Sequence, residues 1–76
     1  MKNRFMFDDF KVLKNEKGTW SIFVMFEGRY REGRRFETKK LATAGLADEM
    51  SKYNRAESAG FVLYVGNDNR MECFIK

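Results

Sequence analysis

The stretch 19–27, TWSIFVMFE, decides how this chain reads. Its side chains alternate with period two. Trp20, Ile22, Val24 and Phe26 point one way, and Ser21, Phe23, Met25 and Glu27 the other. Both faces carry large apolar groups, which places this strand at the centre of a sheet. Upstream, Asn15-Glu16-Lys17-Gly18 is a turn, with Gly18 free to adopt positive φ. Residues 4–14 before it read as another strand. Phe5 and Phe7 share one parity while Phe10 and Val12 share the other, so a bulge or bend is expected near Asp8-Asp9.

Downstream, Gly28 and Gly33 punctuate a basic segment, and Arg29–Glu37 reads as a hairpin arm with a short third strand around Arg34–Glu37. Helical spacing then takes over. Ala42, Leu46, Met50 and Tyr53 form an apolar stripe, predicting one helix over 39–57 with Thr38 as its N-cap. Gly45 inside it costs about 1 kcal/mol against Ala and would permit close approach to the sheet. Ser58-Ala59-Gly60 ends the helix. FVLYV at 61–65 is a strand, Gly66-Asn67-Asp68-Asn69 a turn, and RMECFI at 70–75 the returning strand, with Met71, Cys73 and Ile75 on one face. The expected architecture is α+β in the order ββ(β)αββ, one domain over residues 1–76. It has a single antiparallel sheet of four to five strands with one helix packed on one face.

Composition agrees with a small packed domain. Hydrophobic residues make up 43% of the 76 and aromatics 16%, the latter giving a short chain large units to bury. One cysteine, Cys73, excludes an intramolecular disulfide, and a secreted domain this small usually needs such staples. The N-terminus MKNRFMFDDF has no sustained apolar region of the signal-peptide kind, and no run approaches the roughly 18–20 apolar residues of a membrane span. These features lead to the expectation of a complete cytoplasmic protein that does not engage membranes.

The charge is unevenly placed. Residues 29–40 hold six cations (Arg29, Arg31, Arg34, Arg35, Lys39 and Lys40) against Glu32 and Glu37, a net +4. The remaining 64 residues carry nine positive and nine negative charges and sum to zero. Such a concentration produces a local positive field suited to a polyanion or an acidic protein face. Tyr30 and Phe36 lie within it, where an aromatic between arginines can stack on a base, anchor a protein interface or pack onto the core. Lys39 and Lys40 would occupy the first turn of the helix, where the dipole disfavours cations by roughly 0.3–1 kcal/mol. Two readings stand: an anion site built with exposed backbone N–H groups, or solvated lysines offset by Glu37.

Chemistry beyond binding finds little support. The absence of His removes His-based triads and most zinc sites, and a lone cysteine cannot form a CxxC pair. Cys73 reads as a small buried hydrophobe, Asp8-Asp9 as turn or edge residues, and Asn67-Asp68-Asn69 as a hairpin turn rather than a calcium loop. No enzymatic activity, cofactor or metal is expected. A further feature is the second sheet face. Phe23, Met25, Tyr64 and Phe74 exceed what one helix on the other face can cover, and they read either as a partner or dimer surface or as groups buried by coiling of the sheet.

The middle of the chain resembles two nucleic-acid-binding families. In FEGRYREGRRFETKKLATAGLADEM, a strand, a Gly-bearing basic turn and Thr-Lys-Lys-x-Ala opening a helix are similar to the second half of a double-stranded-RNA-binding domain. That resemblance implies that Lys39 and Lys40 grip phosphates. GTWSIFVMFEG…GRRFETKKLA also resembles the arm-binding N-terminal domain of phage-type integrases, a three-stranded sheet backed by one helix. It implies a structural Trp20 and DNA-facing Arg29, Arg31, Arg34 and Arg35. Residues 4–14 read as strand where the RNA-binding family has its first helix, and neither family requires the closing hairpin FVLYVGNDNRMECFIK.

In size and layout the chain is similar to the small stand-alone anti-CRISPR proteins of phages and mobile elements, including members of the type I-F inhibitors. The ending Gly60–Lys76, strand, turn and strand after a helix, suits that format. This resemblance implies a non-enzymatic inhibitor that binds a nucleic-acid-processing complex through the basic hairpin and adjacent sheet face, in the host cytoplasm if phage-encoded. The net positive charge argues against a DNA mimic, which would be acidic. Two alternatives remain: a direct DNA- or RNA-binding module using Arg29–Lys40, and a small assembly subunit that forms a homodimer through the sheet.

Overall fold

A computed structural model describes the backbone of residues 4–75. Cys73, Phe74 and Ile75 are described by backbone alone, so the expectations placed on their side chains lie outside the described residues.

The alternating stretch forms the central strand as expected. With β1 as Phe10–Lys14, β2 as Trp20–Phe26 and β3 as Arg29–Phe36, the sheet order is β1-β2-β3, antiparallel throughout. Ile22 and Val24 on the inner face of β2 are almost fully enclosed, while Phe23 and Met25 on the outer face are half-buried. A two-residue turn joins β2 to β3. Glu27 and Gly28 both take positive φ, 53° and 88°, the pattern of a type I′ turn whose twist suits a hairpin.

The N-terminal segment departs from the expected strand over 4–14. Residues Phe7–Asp9 form a single 3₁₀ turn, held by Asp9 N donating to Met6 O and Met6 N donating to Asp9 Oδ2, each 2.9 Å. This turn is the bend, one of the two expected alternatives, and it resolves the change of phase. It sends Phe5 into the core and leaves Met6 and Phe7 exposed. Asn54 receives the segment: Phe5 N donates to its Oδ1 at 2.9 Å, and its Nδ2 donates to Phe5 O at 3.0 Å.

The third strand is longer than the short one expected around Arg34–Glu37: it begins at Arg29 and runs through Gly33 instead of starting after it. Ser21 pairs with Arg35 but Phe23 pairs with Glu32, so Gly33 and Arg34 together oppose Ile22. This is a β-bulge, which interrupts the ladder and bends the strand. Glycine is required there. A Cβ on Gly33 would lie 2.9 Å from the backbone oxygen of Ile22 and 3.1 Å from the Tyr53 hydroxyl.

The predicted helix exists but is broken. α1 covers Lys39–Ala44 and α2 covers Leu46–Ser58. Thr38 is the N-cap, its Oγ1 accepting from Leu41 N at 3.1 Å. At Gly45 the N–H is shared between Leu41 O and Ala42 O, both at 3.1 Å, before the ladder resumes with Glu49 N donating to Gly45 O. The Phe36 ring presses against this point, so that a Cβ on Gly45 would lie 2.8 Å from Phe36 Cζ. Close approach to the sheet is thus the reason for this glycine.

The expected single sheet of four to five strands is corrected to two sheets. β4, Phe61–Val65, and β5, Met71–Ile75, pair only with each other in a second antiparallel ladder. One parallel bridge, Glu32 to Arg70, connects this hairpin to β3, and it falls beside the bulge where β3 ceases to offer a regular edge. The fold remains α+β. Its core gathers Phe5, Phe10, Ile22, Val24 and Phe26 beneath Ala42 and Tyr53, with Leu63, Val65 and Met71 of the hairpin packed against them. The Tyr53 ring sits 5.4 Å from Phe5 and 5.9 Å from Phe10, centroid to centroid, within the range of favourable aromatic pairs.

Candidate functional site

The six cations of residues 29–40 fall into three groups. Arg31 and Arg35 are held by the fold. Arg31 donates through Nε to Phe26 O at 3.0 Å and through a terminal nitrogen to Asn69 Oδ1 at 2.7 Å, clamping the hairpin turn to the tip of β4–β5. Arg35 donates to both oxygens of Glu32 at 2.8 and 3.0 Å. Arg29 is exposed at the opposite end of β3 from Arg34 and Arg35. Five residues of extended chain, roughly 16 Å at about 3.3 Å each, separate it from Arg34.

Arg34, Lys39 and Lys40 form the third group, collected where β3 ends and α1 begins. All three are exposed, and none makes an ion pair among the described residues. Two of them lie over aromatic rings. The Arg34 guanidinium carbon is 5.1 Å from the Phe36 centroid and Lys39 Nζ is 5.5 Å from the Trp20 ring, both within cation–π range. Trp20 and Phe36 are direct cross-strand partners. The fold therefore sets two half-buried rings side by side, each topped by an exposed cation, and the exposed Lys40 follows Lys39 in the first turn of α1. The sequence singled out Phe36 and the lysines. Trp20 it did not nominate, the integrase resemblance implying only a structural role, because its contribution depends on register with Phe36.

Tyr30, at the other end of β3, lies under Lys11 Nζ at 4.8 Å from its ring and belongs to the outer sheet face with Phe23 and Met25. Leu13 joins that face opposite Ser21 and is exposed. Tyr64 does not. It stands on the second sheet, and its hydroxyl donates to Glu72 Oε1 at 2.7 Å. The residues nominated as a sheet-face interface are thus divided between two sheets.

The same face carries a polar network that the sequence did not disclose. Ser21 Oγ donates to Glu32 Oε2 at 2.6 Å and receives Asn15 Nδ2 at 2.8 Å. Hydrogen bonding from Arg35 is the main influence on Glu32, and it outweighs burial, which acts the other way. With help from Ser21, Arg35 and Arg70, the carboxyl is held below the usual carboxylate range. The same pairing raises Arg35 further above its already high value. Glu49 is also buried, one oxygen 3.1 Å from Lys52 Nζ and the other without a hydrogen-bond partner among the described residues.

A groove of about 600 Å³ opens between α2 and the closing hairpin, lined by Tyr53, Ala56, Phe61 and Met71 with Lys52 and Arg55 at hand. Both cations are engaged, Lys52 by Glu49 and Arg55 by Ser51 Oγ at 2.6 Å. Among the described residues no helix is long and apolar enough to cross a membrane.

Compared with known proteins, the chain matches no family model, no curated sequence and no solved structure. The class that its own geometry defines is a small α+β protein with a three-stranded sheet, a separate hairpin and one main helix.

Proposed function

We propose that this protein is a non-enzymatic binding module that docks on an anionic surface of a nucleic-acid-processing complex and inhibits it, in the manner of the anti-CRISPR proteins it resembles in format. The observation that carries this reading is the group Arg34, Lys39 and Lys40. All three are exposed and free of acidic partners among the described residues, in a chain whose entire net charge lies in the segment that contains them. A charge excess left unpaired favours an anionic partner and speeds encounter with it. It acts in the cytoplasm, in that of the host if it is phage-encoded.

The test uses a purified RNA-guided DNA-cleaving complex with target cleavage as the readout. Added protein should suppress cleavage, and the Arg34→Glu/Lys40→Glu variant, with unchanged circular dichroism and melting, should not. Equal suppression by the variant overturns the role of the basic strip, and failure of the protein to bind such complexes overturns the inhibitor reading.

Direct nucleic-acid binding is the second reading, favoured by the placement of Trp20 and Phe36 beneath two of the cations. It calls for affinity toward free oligonucleotides that falls steeply with salt. A homodimeric assembly subunit would instead use the outer face around Phe23 and Met25, and would sediment as a dimer when alone.

A further inference from the structure

We infer that the strip formed by Trp20, Phe36, Arg34, Lys39 and Lys40 takes single-stranded nucleic acid, with a base stacked on the Arg34 guanidinium and phosphates held by the two lysines. This rests on the reading of the strip as an anion-binding surface and names its ligand.

Three observations lead to a single strand rather than a duplex. The first is extent. β3 carries Arg29 away to its far end and ties Arg31 and Arg35 into the fold, leaving three clustered cations. A duplex presents only phosphates to such a surface, and three contacts supply little affinity.

The second is the layering at Phe36. Gly45 lies so close to the ring that a Cβ there would sit 2.8 Å from it, and the Arg34 guanidinium stands over the ring at 5.1 Å. Arg34 is exposed, so its solvent side is a planar cation resting on an aromatic support. Unpaired bases stack on guanidinium planes in this way, whereas paired bases within a duplex present no free face. The third is the repeat. Trp20 under Lys39 lies next to Phe36 under Arg34, and directly opposed strand residues have Cβ atoms about 4.5–5.5 Å apart. Two aromatic–cation units at that spacing can serve adjacent nucleotides of one strand.

Trp20 is the one tryptophan in the chain, so its fluorescence reports on the strip without a label. Three probes are titrated: a 15-nucleotide oligo(dT), a duplex of the same length, and inorganic polyphosphate, which has the charge but no bases. Oligo(dT) is expected to quench Trp20 and to bind at least about tenfold more tightly than the duplex. Its log–log salt slope should be about −1.4, as two phosphate contacts on a single strand require. Arg34→Lys keeps the charge and removes the plane. It should weaken oligo(dT) several-fold and leave polyphosphate unchanged.

Equal affinity for duplex and single strand, or an Arg34→Lys variant that binds oligo(dT) normally, overturns the inference. Polyphosphate binding without preference for oligo(dT) overturns it while leaving the anion-binding reading intact. No binding of any probe defeats the inference, and if cleavage by the complex is still suppressed, the strip's partner is an acidic protein face.

Discussion

Glu32 and Arg35 lie three residues apart in one strand and yet face each other, hydrogen-bonded at 2.8 and 3.0 Å. A regular strand would put them on opposite faces. The extra residue at Gly33-Arg34 restores a shared face, and both side chains join Ser21 on the outer side of the sheet. The bulge therefore divides two adjacent arginines. Arg35 is inside a network and Arg34 is outside it.

That division predicts different consequences for the two arginines. Arg35→Ala leaves the Glu32 carboxylate buried with its main partner gone, and is expected to destabilise the fold by about 1–3 kcal/mol. Arg34→Ala removes an exposed side chain and is expected to stay within about 0.5 kcal/mol. Urea denaturation of the two variants checks this. Reversing Arg35 to Glu is consequently a test of folding, and binding tests belong on Arg34, Lys39 and Lys40.

Glu32 should also give the protein an acid sensitivity. Its carboxyl titrates lower in the folded state than in the unfolded chain, so the unfolded chain holds more protons between the two values. The resulting stability is fully present above the unfolded carboxylate range and is lost as pH falls through the folded value. Melting curves across acidic pH should show wild type losing stability on acidification more steeply than Glu32→Gln.

At Gly33 the obstacle to a side chain is backbone. The Ile22 carbonyl that a Cβ would meet at 2.9 Å belongs to the central strand and cannot swing aside. Gly33→Ala is expected to cost about 1–3 kcal/mol, the usual range for overpacking. A denaturation midpoint equal to wild type would show that the bulge relaxes freely.

Glu27 offers the opposite opportunity. It holds φ of 53° in a turn whose central positions favour Asn and Gly. Glu27→Asn is expected to stabilise the hairpin by about 0.5–1 kcal/mol, less than the full cost of roughly 1–2 kcal/mol for a left-handed residue, because Asn keeps a side chain. A raised urea midpoint with unchanged slope is the expected result.

Much of this fold was legible because single residues announced it. The alternation of Ile22, Val24 and Phe26 gave the central strand and its buried face, and Thr38 gave the helix start. Gly33 was read as punctuation, since a glycine that ends a strand and one that permits a bulge look identical along the chain. The same bulge hid the partition of Arg34 from Arg35, which composition treats as equal charges. Glu49 escaped the buried stripe because a carboxylate counts as polar, although it is 3% exposed against the underside of the sheet. The second sheet was missed because the apolar run at 61–65 records that a strand forms and says nothing of its neighbour.

The closing hairpin satisfies its backbone hydrogen bonds within its own ladder and is joined to β3 by one backbone bridge, Arg70 to Glu32, and by side-chain bonds at its tip, Arg31 to Asn69 and Asn69 to Tyr30 O. It can therefore detach as a unit while the three-stranded ladder stays intact. Amide hydrogens from Val62 to Val65 should exchange with solvent deuterium by such a partial opening, ahead of those in β2, which wait for the whole molecule to unfold.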